Sequence, residues 1–121
     1  MLQEVVIVEA VRTPVGRFRG KFAGVRADHL GAVALNAVVQ RAGVAPEQVQ
    51  DVVFGCVTQV GEQSANIART SLLSAGWPDH VPGVTIDRKC GSAEAAVHLG
   101  AAMIASGQAD LLCVGGAENM S

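Results

Sequence analysis

The sequence lacks any strong bias of charge, since nine Lys and Arg against eleven Asp and Glu give a formal net charge of −2. Nucleic acids and anionic membranes bind mainly through dense positive charge, so neither is expected as a main partner. It also lacks an apolar run long enough to span a bilayer. The N-terminus shows no basic region followed by an apolar core, so no signal peptide is expected.

Cysteine is sparse and unpatterned. The three cysteines are Cys56, Cys90 and Cys113, an odd number without the close spacing of zinc ligands. This excludes a disulfide framework as the organising feature and predicts free thiols, no metal site and a reducing compartment. We therefore expect a cytoplasmic protein.

What the chain does have is an unusual amount of apolar sequence. Hydrophobic residues make up 50% of its 121 residues, and 14 glycines come in addition. The length allows one domain, and so small a domain buries only a limited share of its surface. The excess predicts a large interface with another copy or another chain.

Apolar runs alternate with helical patterns along the chain. Because the apolar runs are continuous, they predict buried strands of a mostly parallel sheet with helices on both faces, an α/β fold. Helices are predicted from an Asp28 cap to about Ala42, from about Gln63 to Gly76, and after Cys90. The predicted strands are Val5–Val8, V-V-F-G-C-V after Asp51, V-P-G-V-T-I from Val81, and A-D-L-L-C-V-G from Ala109.

Cys90 lies where the third of these strands turns into a helix. A helix N-terminus presents unpaired N–H groups and a partial positive charge, and Arg88 and Lys89 add to it, which favours a nucleophilic thiolate. The N–H groups at and just after Cys90 are expected to hold an oxyanion if the thiol attacks a carbonyl. The alternative is that Cys90 is a small apolar plug, and the local pattern leaves both open.

The helix after Cys90 is apolar nearly all round, with small residues at Ala93, Ala96, Gly100 and Ala101. Such a helix is expected to be buried on every side, with a second layer, absent from this chain, packed closely on it. Glu94 and His98 are spaced i, i+4 and are expected to pair.

A reactive cysteine usually has a base nearby, and none of the three histidines fits well. His98 is eight residues further along the same helix, about 12 Å at 1.5 Å per residue. His80 is near the opposite end of the preceding strand, about 20 Å away. His29 begins the first helix at the same sheet edge as Cys90, so geometry leaves it open, although a surface role is favoured.

The loop after the first predicted strand is rich in cations. Two interpretations are open, a phosphate-binding patch for a nucleotide-bearing substrate or a solvated or subunit-contacting loop, and the second is favoured. The cations are Arg12, Arg17, Arg19, Lys21 and Arg26.

Four motifs in order along the chain resemble the N-terminal part of the thiolase family. They are E-A-V-R-T-P-V-G near the start, N-I-A-R at Asn66–Arg69, D-R-K-C-G-S around Cys90, and G-G-A-E-N-M-S at the end. The first two motifs are weak singly, but their combination with the last two is highly specific, and the resemblance runs through the whole chain.

The resemblance implies an acyltransferase that moves acyl groups between coenzyme A thioesters through an acyl-cysteine. Cys90 would be the nucleophile, and Asn66 and Arg69 would lie near a dimer contact of a homodimer or homotetramer. No bound cofactor is implied, because acyl-CoA and 3-ketoacyl-CoA are substrates. The implied fold is a five-layer αβαβα sandwich, with the helix after Cys90 in the central layer.

Two features depart from the family. Ala93–Glu94 follows C-G-S, where many members have glycine and a longer apolar residue. The chain also matches only about the first third of a typical thiolase, without the G-H-P, N-E-A and C-x-G motifs and the loop domain. Residues 1–121 are therefore interpreted as an incomplete N-terminal domain, inactive without its C-terminal half. A ketoacyl synthase-like enzyme and a non-catalytic subunit or assembly module are the alternatives.

Overall fold

The computed structural model describes all residues from Met1 to Ser121. Three α-helices and three strands alternate along the chain, with short 3-10 turns at Pro46–Gln48 and Gly61–Gln63. The elements are α1 (Ala27–Ala42), β1 (Asp51–Gly55), α2 (Ile67–Ser74), β2 (Gly83–Ile86), α3 (Ser92–Ala105) and β3 (Leu112–Gly116).

The sheet has the order β2-β1-β3, and both pairings are parallel. Val53 is aligned with Val84 on one side and with Val114 on the other. Parallel neighbours require crossover connections, which α2 and α3 provide. The carboxyl ends of all three strands therefore meet at one edge, where the D-R-K-C-G-S turn follows β2.

Helices cover both faces of this sheet. Val52 and Phe54 of β1 belong to the core formed with Leu35 of α1 and Leu72 of α2. The other face of β1 carries Val53 and Gly55 and lies under α3. This alternation follows from the two-residue period of a strand, and it confirms the predicted α/β class with a parallel sheet between helical layers.

The small residues of α3 have a different role from the one predicted. Ala96 and Gly100 are buried, and a Cβ on Gly100 would lie 2.5 Å from Val114 Cγ1. They fit α3 closely onto its own sheet, so the prediction that they receive another helix is wrong for these two positions. Val97, which lines the cavity beside β3, and Leu99, on nearly the opposite side of the helix, are 37% and 40% exposed, so the helix is not buried on every side in this chain.

The predicted strand at Val5–Val8 is wrong. Residues 1–17 form no regular element, and Ile7 is 80% exposed. A strand needs a neighbour for its backbone groups, and apart from the local turn bond from Gly20 N–H to Arg17 O, the backbone bond that ties this segment to the rest runs from Gln3 N–H to Ala105 O. The segment lies across a cavity from β3, so it makes no ladder with it.

Several element boundaries also differ from the prediction, and β2 and β3 begin two and three residues later than expected. Asp28 is inside the first turn of α1, where it pairs with Arg26 and does not cap the helix. The second helix begins at Ile67, after a separate 3-10 turn that ends at Gln63. Cys56 follows β1 directly, fully buried, and its N–H bonds Ile86 O at 3.1 Å.

No helix in the chain combines the length and apolar character needed to cross a membrane.

Candidate active site

The turn between β2 and α3 is closed by a dense set of short-range hydrogen bonds. Gly91 N–H donates to Arg88 O at 3.0 Å, and Ser92 N–H donates to Lys89 O at 3.1 Å. The Ser92 hydroxyl accepts from Arg88 N–H at 2.7 Å and donates to Lys89 O at 2.6 Å. Lys89 has φ +49°, a left-handed conformation that reverses the chain direction just before Cys90.

Asp87 stabilises the beginning of this turn. Its Oδ1 accepts from Lys89 N–H at 2.8 Å, and its Oδ2 is 3.4 Å from Lys89 Nζ. The backbone hydrogen bond from Lys89 is the main reason that the pKa of Asp87 lies below its ordinary value. The positive charge predicted next to Cys90 is therefore partly compensated by Asp87.

Cys90 is exposed and has a free thiol. α3 begins two residues later, with Gly91 as the residue before its first turn and no side chain capping its N–H groups. The thiol therefore lies at a helix N-terminus, as predicted, and no side chain caps the N–H groups of that terminus. An exposed residue at this point is not an apolar plug.

The expected oxyanion donors are partly occupied. Gly91 and Ser92 use their N–H groups for the turn itself, so these two are not available to a substrate. The N–H of Cys90 takes no part in those two bonds and is the remaining candidate among the groups predicted. One backbone donor, close to the Cys90 sulfur, is therefore what the turn can offer to an oxyanion.

The other two cysteines are in environments that suppress the thiolate. Burial, with the Glu118 carboxylate as a second cause, raises the pKa of Cys56 to about 11. Burial alone raises the pKa of Cys113 in β3 to about 11. Neither is suited to act as a nucleophile at neutral pH.

Asn66 and Arg69 are brought together with β2. Asn66, with φ +72°, caps α2 by accepting from Arg69 N–H, and its Nδ2 donates to Gly83 O at 2.7 Å. Thr85 Oγ1 donates to Asn66 Oδ1 at 2.9 Å, and Arg69 Nη1 donates to Val81 O. The N-I-A-R motif therefore attaches the beginning of α2 to an edge strand of the sheet.

The three histidines are engaged elsewhere or exposed. His98 Nε2 is 3.7 Å from Glu94 Oε1, which confirms the predicted pair. His80 Nε2 is 3.4 Å from Glu47 O, and His29 is exposed in the first turn of α1.

The cationic loop is not one convergent patch. Arg26 is held to Asp28 by two hydrogen bonds of 3.0 Å. Arg12 and Arg17 line a cavity of about 550 Å³ together with the terminal residues 116–121. This arrangement places part of the loop beside the same sheet edge as Cys90.

The hydrogen bonds that Glu118 and Asn119 of the terminal motif form with distant segments were not identified from the sequence. The Glu118 carboxylate accepts from Thr58 N–H at 2.7 Å and Val57 N–H at 3.2 Å, joining the segments that follow β3 and β1. Asn119 Nδ2 donates to Val25 O at 2.7 Å in the cationic loop. The available signal was their place directly after a strand, at the carboxyl edge of a parallel sheet.

A second missed residue is Gly55. A Cβ on it would lie 2.4 Å from Ser92 C and 2.5 Å from Ala93 N, both backbone atoms of the first turn of α3. A glycine inside an apolar strand pattern is itself a signal for close backbone approach.

No group of three or more His, Cys, Asp or Glu side chains in the chain is arranged to hold a metal ion.

Comparison with known proteins identifies a matching family and several similar proteins. Residues 5–121 match the sequence model of the thiolase N-terminal domain. A steroid 3-ketoacyl-CoA thiolase of Mycobacterium tuberculosis is 46% identical over 121 residues, which are 100% of this chain and 30% of that protein. A beta-ketoadipyl-CoA thiolase of Pseudomonas knackmussii is 51% identical over 122 residues, again 100% of this chain and 30% of that protein.

A solved structure agrees with these relatives. The crystal structure of the Bacillus anthracis acetyl-CoA acetyltransferase superposes with a TM-score of 0.94 at 39% identity, over 98% of this chain and 30% of that one. The chain therefore spans about 30% of the length of the relatives that it matches.

Proposed function

Because this chain belongs to the thiolase family, where it matches the N-terminal domain, we propose that it carries the nucleophile of an acyltransferase acting on coenzyme A thioesters. The observation that carries the proposal is the exposed Cys90 thiol at the uncapped beginning of α3. Cys90 is the nucleophile, and a proton acceptor and the coenzyme A site come from the part of a thiolase that follows this region in the relatives.

In the degradative direction, the Cys90 thiolate attacks the 3-keto carbon of a 3-ketoacyl-CoA. A C–S bond forms, and the carbonyl electron pair moves to an oxyanion near the Cys90 N–H. When the oxyanion collapses, the bond between C2 and C3 breaks, and C2 takes a proton from an acid outside this chain to release acetyl-CoA. The thiolate of free coenzyme A then takes the acyl group from Cys90, in ping-pong order. Condensation of acetyl-CoA is the reverse.

This chain alone is inactive under the proposal, because acyl transfer needs a base within about 3 Å of the sulfur. His98 is paired with Glu94, and His80 contacts Glu47 O. Loss of a general base typically reduces a rate by about 10² to 10⁴.

An apolar cavity is available for the C-terminal part of the enzyme. A cavity of about 660 Å³ separates the segment Glu4–Val11 from β3, between α1 and α3, and 21 of its 27 lining residues are hydrophobic. β3 is an edge strand on this side, with unpaired backbone groups. We propose that apolar chain from the C-terminal part of a thiolase fills this cavity and that residues 1–121 are an incomplete domain without it.

The exposed apolar residues of α3 support the same proposal. Val97, facing the cavity, and Leu99, on nearly the opposite side, are both partly exposed, although Ala96 and Gly100 are packed on the sheet. A further helical layer over α3 would cover its remaining exposed surface and give the layered αβαβα arrangement, with α3 in its central layer.

A homodimer or homotetramer is proposed through the opposite edge of the sheet. Asn66 and Arg69 hold β2, which is an edge strand, and Val84 in β2 is 37% exposed. A Val84→Lys variant should lower the oligomer size in gel filtration, because a lysine on an edge strand opposes further pairing. An unchanged oligomer would place the interface elsewhere.

The free thiols support a reducing compartment, and we propose the cytoplasm as the site of action. No bound cofactor is proposed beyond the coenzyme A thioesters themselves.

Thiolysis of acetoacetyl-CoA tests the function. The chain alone should show no activity, and co-expression with the C-terminal part of the Bacillus anthracis relative should produce it. Cys90→Ser should abolish that activity, whereas Cys56→Ser, the matched control at a buried thiol, should retain it. Activity in the assembled Cys90→Ser variant would contradict the proposal, and an assembled but inactive wild type would favour a non-catalytic subunit.

A further inference from the structure

The first turn of α3 rests on the backbone of β1 and β3 with no side chain between them. A Cβ on Gly55 would lie 2.4 Å from Ser92 C, 2.5 Å from Ala93 N and 2.6 Å from Ser92 O. A Cβ on Gly116 would lie 2.7 Å from Gly55 O and 3.3 Å from Ala93 Cβ. The two glycines form a floor, which we call the glycine floor, under the residues that follow Cys90.

The atoms above the glycine floor cannot move aside by a side-chain rotation. All three atoms closest to Gly55 belong to the backbone, and Ser92 is also fixed by its hydroxyl bonds to Arg88 and Lys89. Ordinary contact begins at 3.4 Å, so a methyl group at Gly55 requires the turn to move by about 1 Å. Ser92 is two residues from Cys90 within the same hydrogen-bonded turn, so the displacement reaches the thiol.

We propose that Gly55, supported by Gly116, is a positioning residue: it sets the height of the Cys90 turn above the sheet and so aligns the thiol with the N-terminal end of α3. The inference rests on Cys90 being the nucleophile. It gives the glycine of V-V-F-G-C-V a functional reason, whereas the buried neighbours of Gly55 in β1 serve the core. Misplacement of a reacting group by about 1 Å can reduce a catalysed rate about 100-fold.

Alkylation of Cys90 by iodoacetamide measures this alignment without any turnover. Gly55→Ala should lower the second-order rate constant at Cys90 at pH 7 by about three- to tenfold, the range expected when a charge loses part of its interaction with a helix N-terminus. In the co-expressed assembly, the same variant should lower kcat of thiolysis by about 100-fold and change KM much less.

Gly83→Ala is the matched control. Its Cβ would lie 2.8 Å from Arg69 N and 3.1 Å from Ala68 C, so it also collides with the backbone of a helical first turn on the same sheet. That turn belongs to α2 and is remote in sequence from Cys90. Gly83→Ala should lower the thermal stability, as Gly55→Ala does, because both variants create a clash with a helix backbone. It should leave the Cys90 rate constant within about twofold, because its clash does not involve the Cys90 turn.

Gly116→Ala gives a second approach to the same turn and should lower the Cys90 rate constant in the same direction. Equal rate constants in Gly55→Ala and Gly83→Ala would overturn the inference and leave the proposed acyl transfer standing. Failure of Gly55→Ala and Gly116→Ala to fold, with Gly83→Ala folded, would also overturn it, because the floor would then serve the fold as a whole. An active assembled Cys90→Ser variant would instead refute the nucleophile and leave the alignment result intact.

Discussion

Selective alkylation of the three thiols is the most direct test of the site. Brief exposure of the folded chain to iodoacetamide at pH 7 should label Cys90, while Cys56 and Cys113 remain unmodified. Cys90 is exposed, whereas burial raises the pKa of each of the others from 9.0 to about 11. Such an increase lowers the thiolate fraction at pH 7 by about 100-fold.

Part of this reduction is offset, because a more basic thiolate is a better nucleophile. With a Brønsted coefficient of about 0.4 to 0.5, the net reduction for Cys56 and Cys113 is about tenfold. Restricted access then slows Cys56 further, since its side chain is fully buried. We expect Cys90 to react at least about tenfold faster than either of the other two thiols.

The pH dependence has a definite sign. A thiol with a folded-state pKa of about 11 stays protonated below that pH, so labelling of Cys56 and Cys113 should rise about tenfold per pH unit up to pH 10. The same raised pKa values predict that stability is retained below about pH 9 and falls as the pH rises toward 11, because the unfolded chain loses these protons first.

Peptide mapping by mass spectrometry gives the rate at each cysteine. The chain unfolded in urea is the control, because there all three thiols should react at similar rates. Labelling of Cys56 or Cys113 as fast as Cys90 in the folded chain would refute the reasoning from burial and helix geometry.

Four further predictions concern stability, each measured by urea or thermal unfolding. Ser71→Ala should leave the free energy of unfolding unchanged or raise it by up to about 1 kcal/mol, since its buried hydroxyl has no partner. Ser92→Ala should lower the free energy of unfolding by about 1 to 2 kcal/mol through two lost hydrogen bonds. A larger loss in Ser71→Ala than in Ser92→Ala would contradict both predictions. Gly100→Leu should lower the free energy of unfolding by about 1 to 3 kcal/mol by forcing α3 away from Val114, and an unchanged melting temperature would count against that packing. Asn66→Ala should cost about 2 to 3 kcal/mol, because it removes the helix cap together with the bonds to Gly83 O and Thr85 Oγ1, and an unchanged unfolding midpoint would contradict this.

The features that the sequence predicted well are those decided by neighbours along the chain. The apolar run of β1, the Gly43 stop of α1 and the strand-to-helix change at Cys90 each depend on a few adjacent residues. Gly43 has φ +71° and ends α1 as expected of glycine at that position. The hydrogen bonds that close the Cys90 turn likewise lie within residues 87–92.

The features that failed depend on distant residues or on rare conformations. Val5–Val8 has the composition of a strand, but pairing requires a neighbour, and within this chain a cavity lies where that neighbour would be. The second helix begins late because Ala65 and Asn66 adopt positive φ values, a conformation that asparagine tolerates but that nothing in the residue type of Ala65 predicts. Periodicity showed that one side of α3 is composed of small residues and could not say that Ala96 and Gly100 face the sheet.

The order of the strands has a consequence for synthesis of the protein. β1 is central, yet its partner β3 begins roughly sixty residues later, so half of the ladder has a high contact order. At about 5 to 20 residues per second, β1 waits on the ribosome for roughly 3 to 12 seconds before β3 has been made. During that interval an apolar strand has an open edge, and the nascent chain rather than the finished fold is where aggregation, or binding of a chaperone, should begin.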